Sequence, residues 1–495
     1  MSRFHLLYFT LCICFSIIFS SGQIENPDTH LRLTQTRLIL EKKKFDLDNN
    51  IGEEKHGNIA ENKAGKRFMV YNPGQSLIFL PFYSFANTFS YDKGTAYYNA
   101  AFIVSFLNFI LHFICAYLLY RIALKLGSTK ILAFYTSLLF AFTSYSFVLA
   151  QSTYEHHFEM FFILLGFYYS TYKEEKNSNF KAGFAISIGL MFRTSTILAI
   201  PSLLFLQKKT INKLEFILGL LIGFIFIFSF NYYRFGNIFE TGYSIAWEMA
   251  GIPGNNTWNL LNLPIGLLGN IISPAKGLIF FSTTFLLSLF KIKKFYKDNR
   301  LFSISIFILL FTYLGVFSLN FAWHGSIWSF GPRYLLPIIP FLYLPIININ
   351  NSKWLKFILG IAIICQFVLL TVNSKRNVLE EYQQNSSFNE NEYIFNLKNE
   401  PHISQFHQLV LIFPKNFSNL YNYFPNEPWE KEVRTAPNNI ILENSIEKNS
   451  INFWWIRILH SEMTNLIKVY SSLILILALI GVVFLSNYVQ KNLIK

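Results

Sequence analysis

Residues 469–487 read VYSSLILILALIGVVFLSN, a stretch without a charged side chain that decides the class of fold. About 20 consecutive apolar residues form a helix long enough to cross a bilayer. Similar runs recur at residues 4–20, 97–120, 131–150, 158–172, 215–232, 277–290, 301–320, 334–349 and 355–372. Of the 495 residues, 52% are hydrophobic, which is more apolar surface than one soluble core can bury. The sequence predicts an all-α polytopic membrane protein with about 11–13 transmembrane or half-membrane helices.

The basic residues concentrate in the short joints between these runs. Those joints hold nearly half of the 42 lysines and arginines but only four of the 28 acidic residues, which are Glu174, Glu175, Glu215 and Asp298. This asymmetry is the positive-inside signature, so it places both termini and these joints in the cytoplasm. The net charge of +14 therefore reflects topology, and we expect no nucleic-acid partner.

Three longer regions then face the exported side, at about 21–96, 233–276 and 373–468. In the first, polar–apolar spacing after residue 26 and the apolar run 77–85 predict two helices on the membrane surface. We divide the chain into a transmembrane catalytic region (1–372), a small exported cap (373–468), and a last helix with a cytoplasmic tail (469–495). Residues 1–22 also suit a cleaved signal peptide, but we expect an uncleaved span.

The interval between residues 181 and 208 is too short for the alternation of cytoplasmic and exported joints. Lys181 and Lys208 both belong in the cytoplasm, yet the residues between them cannot form two full crossings at about 1.5 Å per residue. Two half-helices with Arg193 at their apex resolve this, and a cation at that depth indicates a polar cavity. The alternative is a tilted helix from which Arg193 extends to the interface.

Two aromatic and histidine clusters lie near exported helix ends. Tyr154-Glu155-His156-His157 offers Glu155 and His157 as ligands for a divalent cation, or is simply a polar helix terminus. The cluster at 452–457, Asn-Phe-Trp-Trp-Ile-Arg, is typical of an anchor at the membrane interface before the last span. No cofactor is certain, and a divalent metal is the one candidate.

Six motifs in order resemble bacterial GT-C glycosyltransferases, the protein mannosyltransferase-like and aminoarabinose-transferase-like membrane enzymes. They are Asp28 after the first span, Tyr71-Asn-Pro-Gly-Gln-Ser76, Arg193-Thr194, Arg234-Phe-Gly-Asn-Ile-Phe-Glu-Thr-Gly-Tyr243, Ser273-Pro-Ala-Lys-Gly277 and Trp328-Ser-Phe-Gly-Pro-Arg-Tyr-Leu-Leu-Pro337. The resemblance covers roughly residues 1–350. It implies an all-helical GT-C-like fold and a polyprenyl-phosphate sugar donor.

The resemblance also implies a catalytic base, an aspartate in the first exported loop, matched here by Asp28. Many members have two adjacent acidic residues there, whereas this chain has Asp28-Thr29-His30. The other interpretation of Asp28 is a helix N-cap, which is a common position for aspartate.

Transfer from a lipid phosphate needs cations, because negative charge grows on the departing phosphate. The candidates are Arg32, Lys66, Arg67, Arg193, Lys276 and Arg333. Side chains that suit a sugar pocket by stacking and hydrogen bonding are Glu240, Tyr243, His324 and Tyr334.

These features predict an inverting glycosyltransferase of a bacterial inner membrane with its active site on the exported face. Its partners would be a polyprenyl-phosphate sugar, membrane lipid, and a glycan, lipid or protein acceptor. The alternative is a transporter or flippase for a lipid-linked or anionic solute, since broken helices around a buried arginine also suit transport. A third possibility is an inactive scaffold of the same fold.

Overall fold

A computed structural model describes residues 3–48, 58–172, 176–251, 257–349, 352–373, 378, 389–415, 451–460 and 464–494. The helices of the first half are α1 (Arg3–Phe19), α2 (Pro27–Lys42), α3 (Gly74–Thr88), α4 (Lys93–Val104), α5 (Leu107–Lys125), α6 (Lys130–Thr143), α7 (Tyr145–Leu149), α8 (His156–Thr171), α9 (Ser178–Phe192), α10 (Ile200–Leu206) and α11 (Thr210–Phe235). Those of the second half are α12 (Tyr243–Met249), α13 (Leu263–Ile272), α14 (Leu278–Phe281), α15 (Ile292–Asp298), α16 (Arg300–Ser318), α17 (Ile339–Leu342), α18 (Ser352–Thr371), α19 (Glu390–Phe395), α20 (Pro401–Lys415), α21 (Trp454–His460) and α22 (Asn465–Ile494).

The predicted polytopic helical class is confirmed. Within the described residues, five helical stretches are long and apolar enough to cross a membrane: Lys93–Lys125, Thr210–Phe235, Arg300–Ser318, Lys353–Thr371 and Asn465–Asn492. Shorter apolar helices accompany them, at Arg3–Phe19, Lys130–Thr143, Thr194–Leu206, Leu260–Ile272 and Arg333–Asn348. The last of these is broken into 3₁₀ and α turns, because its three prolines (Pro337, Pro340 and Pro345) have no backbone N–H to donate.

The predicted break between two short helices at Arg193 is also confirmed. Helix α9 ends at Phe192, Arg193 is extended (φ −144°, ψ 129°), and a 3₁₀ turn, Thr194–Ala199, leads into α10. Helix α9 packs closely against α11 through small residues: a Cβ on Gly183 would lie 2.0 Å from the Phe216 carbonyl oxygen. Such contacts let helix backbones approach within a membrane and hold Arg193 in place.

Both predicted helices of the first loop are present. Half of the residues of α2 are buried, and its central side chains pack under α3 and α4, so protein covers this side of the helix. The charged stretch between them contains a feature that the sequence did not predict, an antiparallel hairpin of β1 (Ile59–Glu61) and β2 (Arg67–Met69). Its three-residue strands are too short to give a recognisable period.

Part of the predicted cap region lies outside the described residues, so its status as a separate unit stays a prediction. In the described part, α19 packs over the loop after α13, with the Ala275 N–H donating to the Ile394 oxygen (3.1 Å). Helix α20 packs against α18.

The aromatic cluster before the last helix, predicted to be an anchor at the membrane interface, is packed against the end of α1. Trp454 is buried, and its indole N–H donates to the Ile17 oxygen at the end of α1 (2.5 Å). The Trp455 indole donates to the Ile18 oxygen (3.0 Å). Asn452 donates to Glu25 (2.6 Å) and is bonded by Arg457 (2.6 Å). This segment, residues 451–457, is therefore tied to the start of the first exported loop.

Candidate functional site

Asp28 lies in the first turn of α2, which is anchored on both sides. Asn26 is the N-cap, and its side-chain oxygen accepts the Thr29 N–H (2.8 Å), so capping does not explain Asp28. The Thr29 hydroxyl donates to the Thr153 oxygen (2.9 Å), which also accepts from Gln75 (2.8 Å). The Asp28 carboxylate is therefore held at a fixed point between the first loop and the turn before α8.

Three groups face this carboxylate. The Asn58 amide donates to it at 3.3 Å, and Nη1 of Arg333 lies 3.9 Å from its Oδ2 atom. The Tyr71 hydroxyl lies beside it, and burial together with Asp28 raises the pKa of Tyr71 well above its ordinary value. Tyr71 is therefore a neutral hydrogen-bond donor next to a partly exposed carboxylate.

Two of the predicted cations are already paired through Glu155, the residue before α8. Arg32, one turn after Asp28, lies 2.9 Å from Glu155 and stacks on the Tyr71 ring at 3.9 Å. Arg193 forms an ion pair with the other Glu155 oxygen and lies 2.9 Å from Glu159. Burial alone would raise the pKa of Glu155, but Arg32 and Arg193 hold it below its ordinary value. Glu155 therefore fixes both guanidinium groups.

Glu159, a residue of α8, is the second carboxylate that binds Arg193. It accepts from the Ser195 hydroxyl (2.6 Å) and from the Tyr313 hydroxyl (2.8 Å). The buried guanidinium of Arg193 thus pairs with the carboxylates of Glu155 and Glu159. These carboxylates accept from further donors, because buried charges need both a partner and hydrogen bonds.

Of the three arginines, Arg333 lies farthest from a carboxylate partner. It begins a 3₁₀ turn, stacks over the rings of Tyr154 (4.2 Å) and Tyr334 (5.4 Å), and contacts a carboxylate only at the 3.9 Å distance to Asp28. Its Nε atom is buried and has no hydrogen-bond partner among the described residues. Arg333 therefore has one donor without a hydrogen-bond partner among the described residues, close to Asp28.

Two predicted sugar-pocket tyrosines border this space. Tyr334 is partly exposed and lies under Arg193 (5.6 Å) and Arg333. Tyr243, at the start of α12, packs edge-on against Tyr71 (6.5 Å) and is 37% exposed. The structure thus brings together the predicted residues Asp28, Arg32, Arg193, Arg333, Tyr243 and Tyr334.

Other predicted residues lie elsewhere. Lys66 is exposed in the hairpin turn, and Arg67 pairs through its backbone with Glu61 and Leu47. The Glu240 carboxylate caps its own turn, accepting from the Gly242 N–H (2.7 Å), and borders a separate groove of about 790 Å³. His324 lies behind Arg333, with Nε2 3.5 Å from Glu390 and with burial lowering its pKa to about 3.

Two predictions need correction. Lys276 is buried and donates to the backbone oxygens of Ser326 (2.6 Å) and Ser329, so it holds the loop before Arg333 and is not open to a phosphate. Glu155 and His157 do not share a metal position, because Glu155 faces two arginines while His157 faces the Ser146 oxygen (3.0 Å). Among the described residues, no group of three His, Cys, Asp or Glu side chains suits a metal ion.

Several residues of the site were missed. Glu155 was considered as a metal ligand or a polar helix terminus, whereas it organises two arginines. Tyr71 and Tyr154 were quoted only as parts of motifs, and Glu159 and Tyr313 were not considered. One signal was available: arginines in apolar surroundings need carboxylate partners, and Glu155 and Glu159 are the acidic residues at the start of α8.

The motif residues around the site are mainly structural. Asn72 donates to the Leu190 oxygen (2.7 Å) and to the Thr194 hydroxyl (3.1 Å), and a Cβ on Gly74 would lie 2.6 Å from the Met191 oxygen. Arg234 is buried and donates to the oxygens of Met69 (2.8 Å) and Tyr71 (3.3 Å). These contacts join the first loop to α9 and α11 and so fix the geometry around Asp28.

Comparison with solved structures finds a whole-chain similarity. The chain resembles the crystal structure of ArnT from Cupriavidus metallidurans in the apo state, with 12% identity, a TM-score of 0.44, and coverage of 98% of this chain and 75% of ArnT. The structure of the same ArnT bound to undecaprenyl phosphate gives equal identity and TM-score and covers 76% of that chain. No protein-family model and no curated protein matches the sequence.

Proposed function

We propose that this protein is an inverting glycosyltransferase that moves a sugar from a polyprenyl-phosphate donor to an acceptor of the cell envelope. The observation that carries the proposal is the pairing of Asp28 and Arg333 across 3.9 Å, beside an exposed tyrosine and two arginines fixed by buried carboxylates. A general base beside a phosphate-binding cation is what a single displacement at the anomeric carbon of a glycosyl phosphate requires, with the phosphate as leaving group.

In the proposed reaction, Asp28 accepts the proton of an acceptor hydroxyl while its oxygen attacks the anomeric carbon. The bond from that carbon to the phosphate oxygen breaks on the opposite face, and polyprenyl phosphate leaves with the bonding electrons. One displacement without a covalent intermediate inverts the anomeric centre.

Arg333 is the main phosphate contact in this proposal, since Arg32 and Arg193 already have carboxylate partners. When Arg333 turns toward the phosphate, it leaves Asp28 and frees that carboxylate for the acceptor. Arg32 and Arg193 contribute positive potential from fixed positions, which costs no rearrangement during the reaction. Tyr243 and Tyr334 offer rings and hydroxyls for the sugar.

For Arg333→Ala, we expect about 10- to 100-fold weaker binding of polyprenyl phosphate, because a charge-assisted hydrogen bond contributes roughly 1.5–3 kcal/mol. Arg333→Lys should recover part of this loss, because it keeps the charge but not the planar fork. Binding to purified protein in detergent is the measurement. Arg121→Ala is the control, since Arg121 is partly buried and, like Arg333, packs on tyrosines, but at a predicted cytoplasmic joint. Equal binding by Arg333→Ala and wild type would contradict the assignment.

We further propose that the site faces the exported side of a bacterial inner membrane. Lys66 and Lys293 are both exposed and lie on predicted opposite faces. We expect an impermeant maleimide added to intact spheroplasts to label Lys66→Cys but not Lys293→Cys, with wild type as the control for native cysteines. Labelling at position 293 alone would reverse the orientation.

The activity is tested by incubating purified protein with a polyprenyl-phosphate sugar and an envelope extract, and following release of sugar from the lipid. We expect acceptor-dependent release. Movement of the donor across liposomes without sugar release would instead support the transporter.

A further inference from the structure

His156 is a buried imidazole with no hydrogen-bond partner. It is the first residue of α8 and is 1% exposed. Both Nδ1 and Nε2 are buried and unbonded among the described residues. Leaving a buried polar group unsatisfied costs about 1–3 kcal/mol, so such a group in a folded protein calls for an explanation.

The two neighbouring buried histidines differ from His156 because each bonds through at least one ring nitrogen, although Nδ1 of His157 also has no partner among the described residues. His157 bonds the Ser146 oxygen at 3.0 Å. His112 uses both ring nitrogens, at 2.8 Å from the Ser146 hydroxyl and 2.8 Å from the Ala141 oxygen. Those two histidines have the contacts of structural residues, whereas His156 does not.

The surroundings of His156 are those of the proposed donor site. Its ring stacks on Tyr334 (5.8 Å, 26° between planes) and meets Tyr154 edge-on (5.7 Å). Arg193, Arg333 and Arg32 are its charged neighbours. Burial first, and then the three cations, disfavour a charged ring, so His156 is a neutral imidazole with one N–H to donate.

We propose that His156 is a third phosphate contact, whose N–H donates to a non-bridging oxygen of the donor phosphate beside Arg333. The inference rests on the proposed function. Tyr334 stacks on one face of the ring and is itself partly exposed, whereas the N–H lies in the plane of the ring, so the proposed contact is made at the ring edge that stacking does not occupy. The unsatisfied imidazole is then a donor held ready for an anion.

The test compares His156→Phe with His157→Phe. In His156→Phe we expect about tenfold weaker binding of both polyprenyl phosphate and the sugar donor, with an unchanged or higher Tm, because stacking on Tyr334 is kept and an unsatisfied group is removed. His157→Phe should lower Tm, since it breaks a buried hydrogen bond, and leave polyprenyl-phosphate binding unchanged. His156→Gln, which keeps an N–H donor, should restore part of the binding.

Each other outcome has a definite meaning. Weaker binding of the sugar donor with normal binding of polyprenyl phosphate would place His156 on the sugar and overturn the phosphate contact. A fall in Tm in both His156→Phe and His156→Gln as large as in His157→Phe would show a structural histidine and also overturn it. Wild-type protein that binds no polyprenyl phosphate would instead defeat the proposed function itself.

Discussion

Asp28→Asn is expected to lower sugar transfer by roughly 10²- to 10⁴-fold, which is the usual contribution of general acid–base catalysis. The amide keeps the shape of the side chain but has no basic oxygen to take the acceptor's proton. Binding of polyprenyl phosphate should persist, because Arg333 and the buried ion pairs are intact. Single-turnover release of sugar and equilibrium binding of polyprenyl phosphate measure the two effects separately.

Asp92→Asn is the matched control for this variant. Asp92 lies in the same predicted exported loop and also belongs to a helix start, where its carboxylate accepts the Thr95 N–H (2.9 Å). Asparagine can still cap the helix, so transfer should be normal. Normal transfer by Asp28→Asn would remove the base role from Asp28.

Glu155→Ala is expected to destabilise the protein by about 3–5 kcal/mol, because it leaves Arg32 without its carboxylate partner and Arg193 with only one. The fall should appear as a lower midpoint of thermal unfolding in detergent. Removing Arg32 as well, in Arg32→Met with Glu155→Ala, should restore much of the loss, because Arg193 keeps Glu159. A double variant no more stable than Glu155→Ala would show that the two residues do not act as a pair.

The sequence was sufficient to predict features that depend on local composition. Apolar runs predicted the spans, and the distance between Lys181 and Lys208 predicted the helix break at Arg193. Asp28, Arg193 and Arg333 were assigned to one site from their motifs, and the structure brings Asp28 to Arg333 and ties Arg193 to the same turn before α8.

Features that depend on contacts between distant segments could not be predicted. The sequence on either side of Lys276 does not indicate that the carbonyl oxygens of residues 326 and 329 accept hydrogen bonds from its ammonium group. Burial of α2 was missed for the same reason, since its Thr, Gln and Arg side chains carry no apolar stripe. Its burial follows from α3 and α4 packing over it.

The bond between Asn452 and Glu25 joins residues 427 positions apart, and Glu25 lies directly before the helix that carries Asp28. A nascent chain enters the membrane from its first residue. Helices α1 and α2 are therefore made long before Asn452, which follows nearly all of the other spans. The bond between Glu25 and Asn452 can therefore form only after most of the chain has been made, whereas the contacts of Asp28 and Thr29 with residues 58, 153 and 333 can form earlier. Ribosome-bound chains that end before residue 451 should remain sensitive to protease near residue 25, and chains that extend beyond the last helix should become protected.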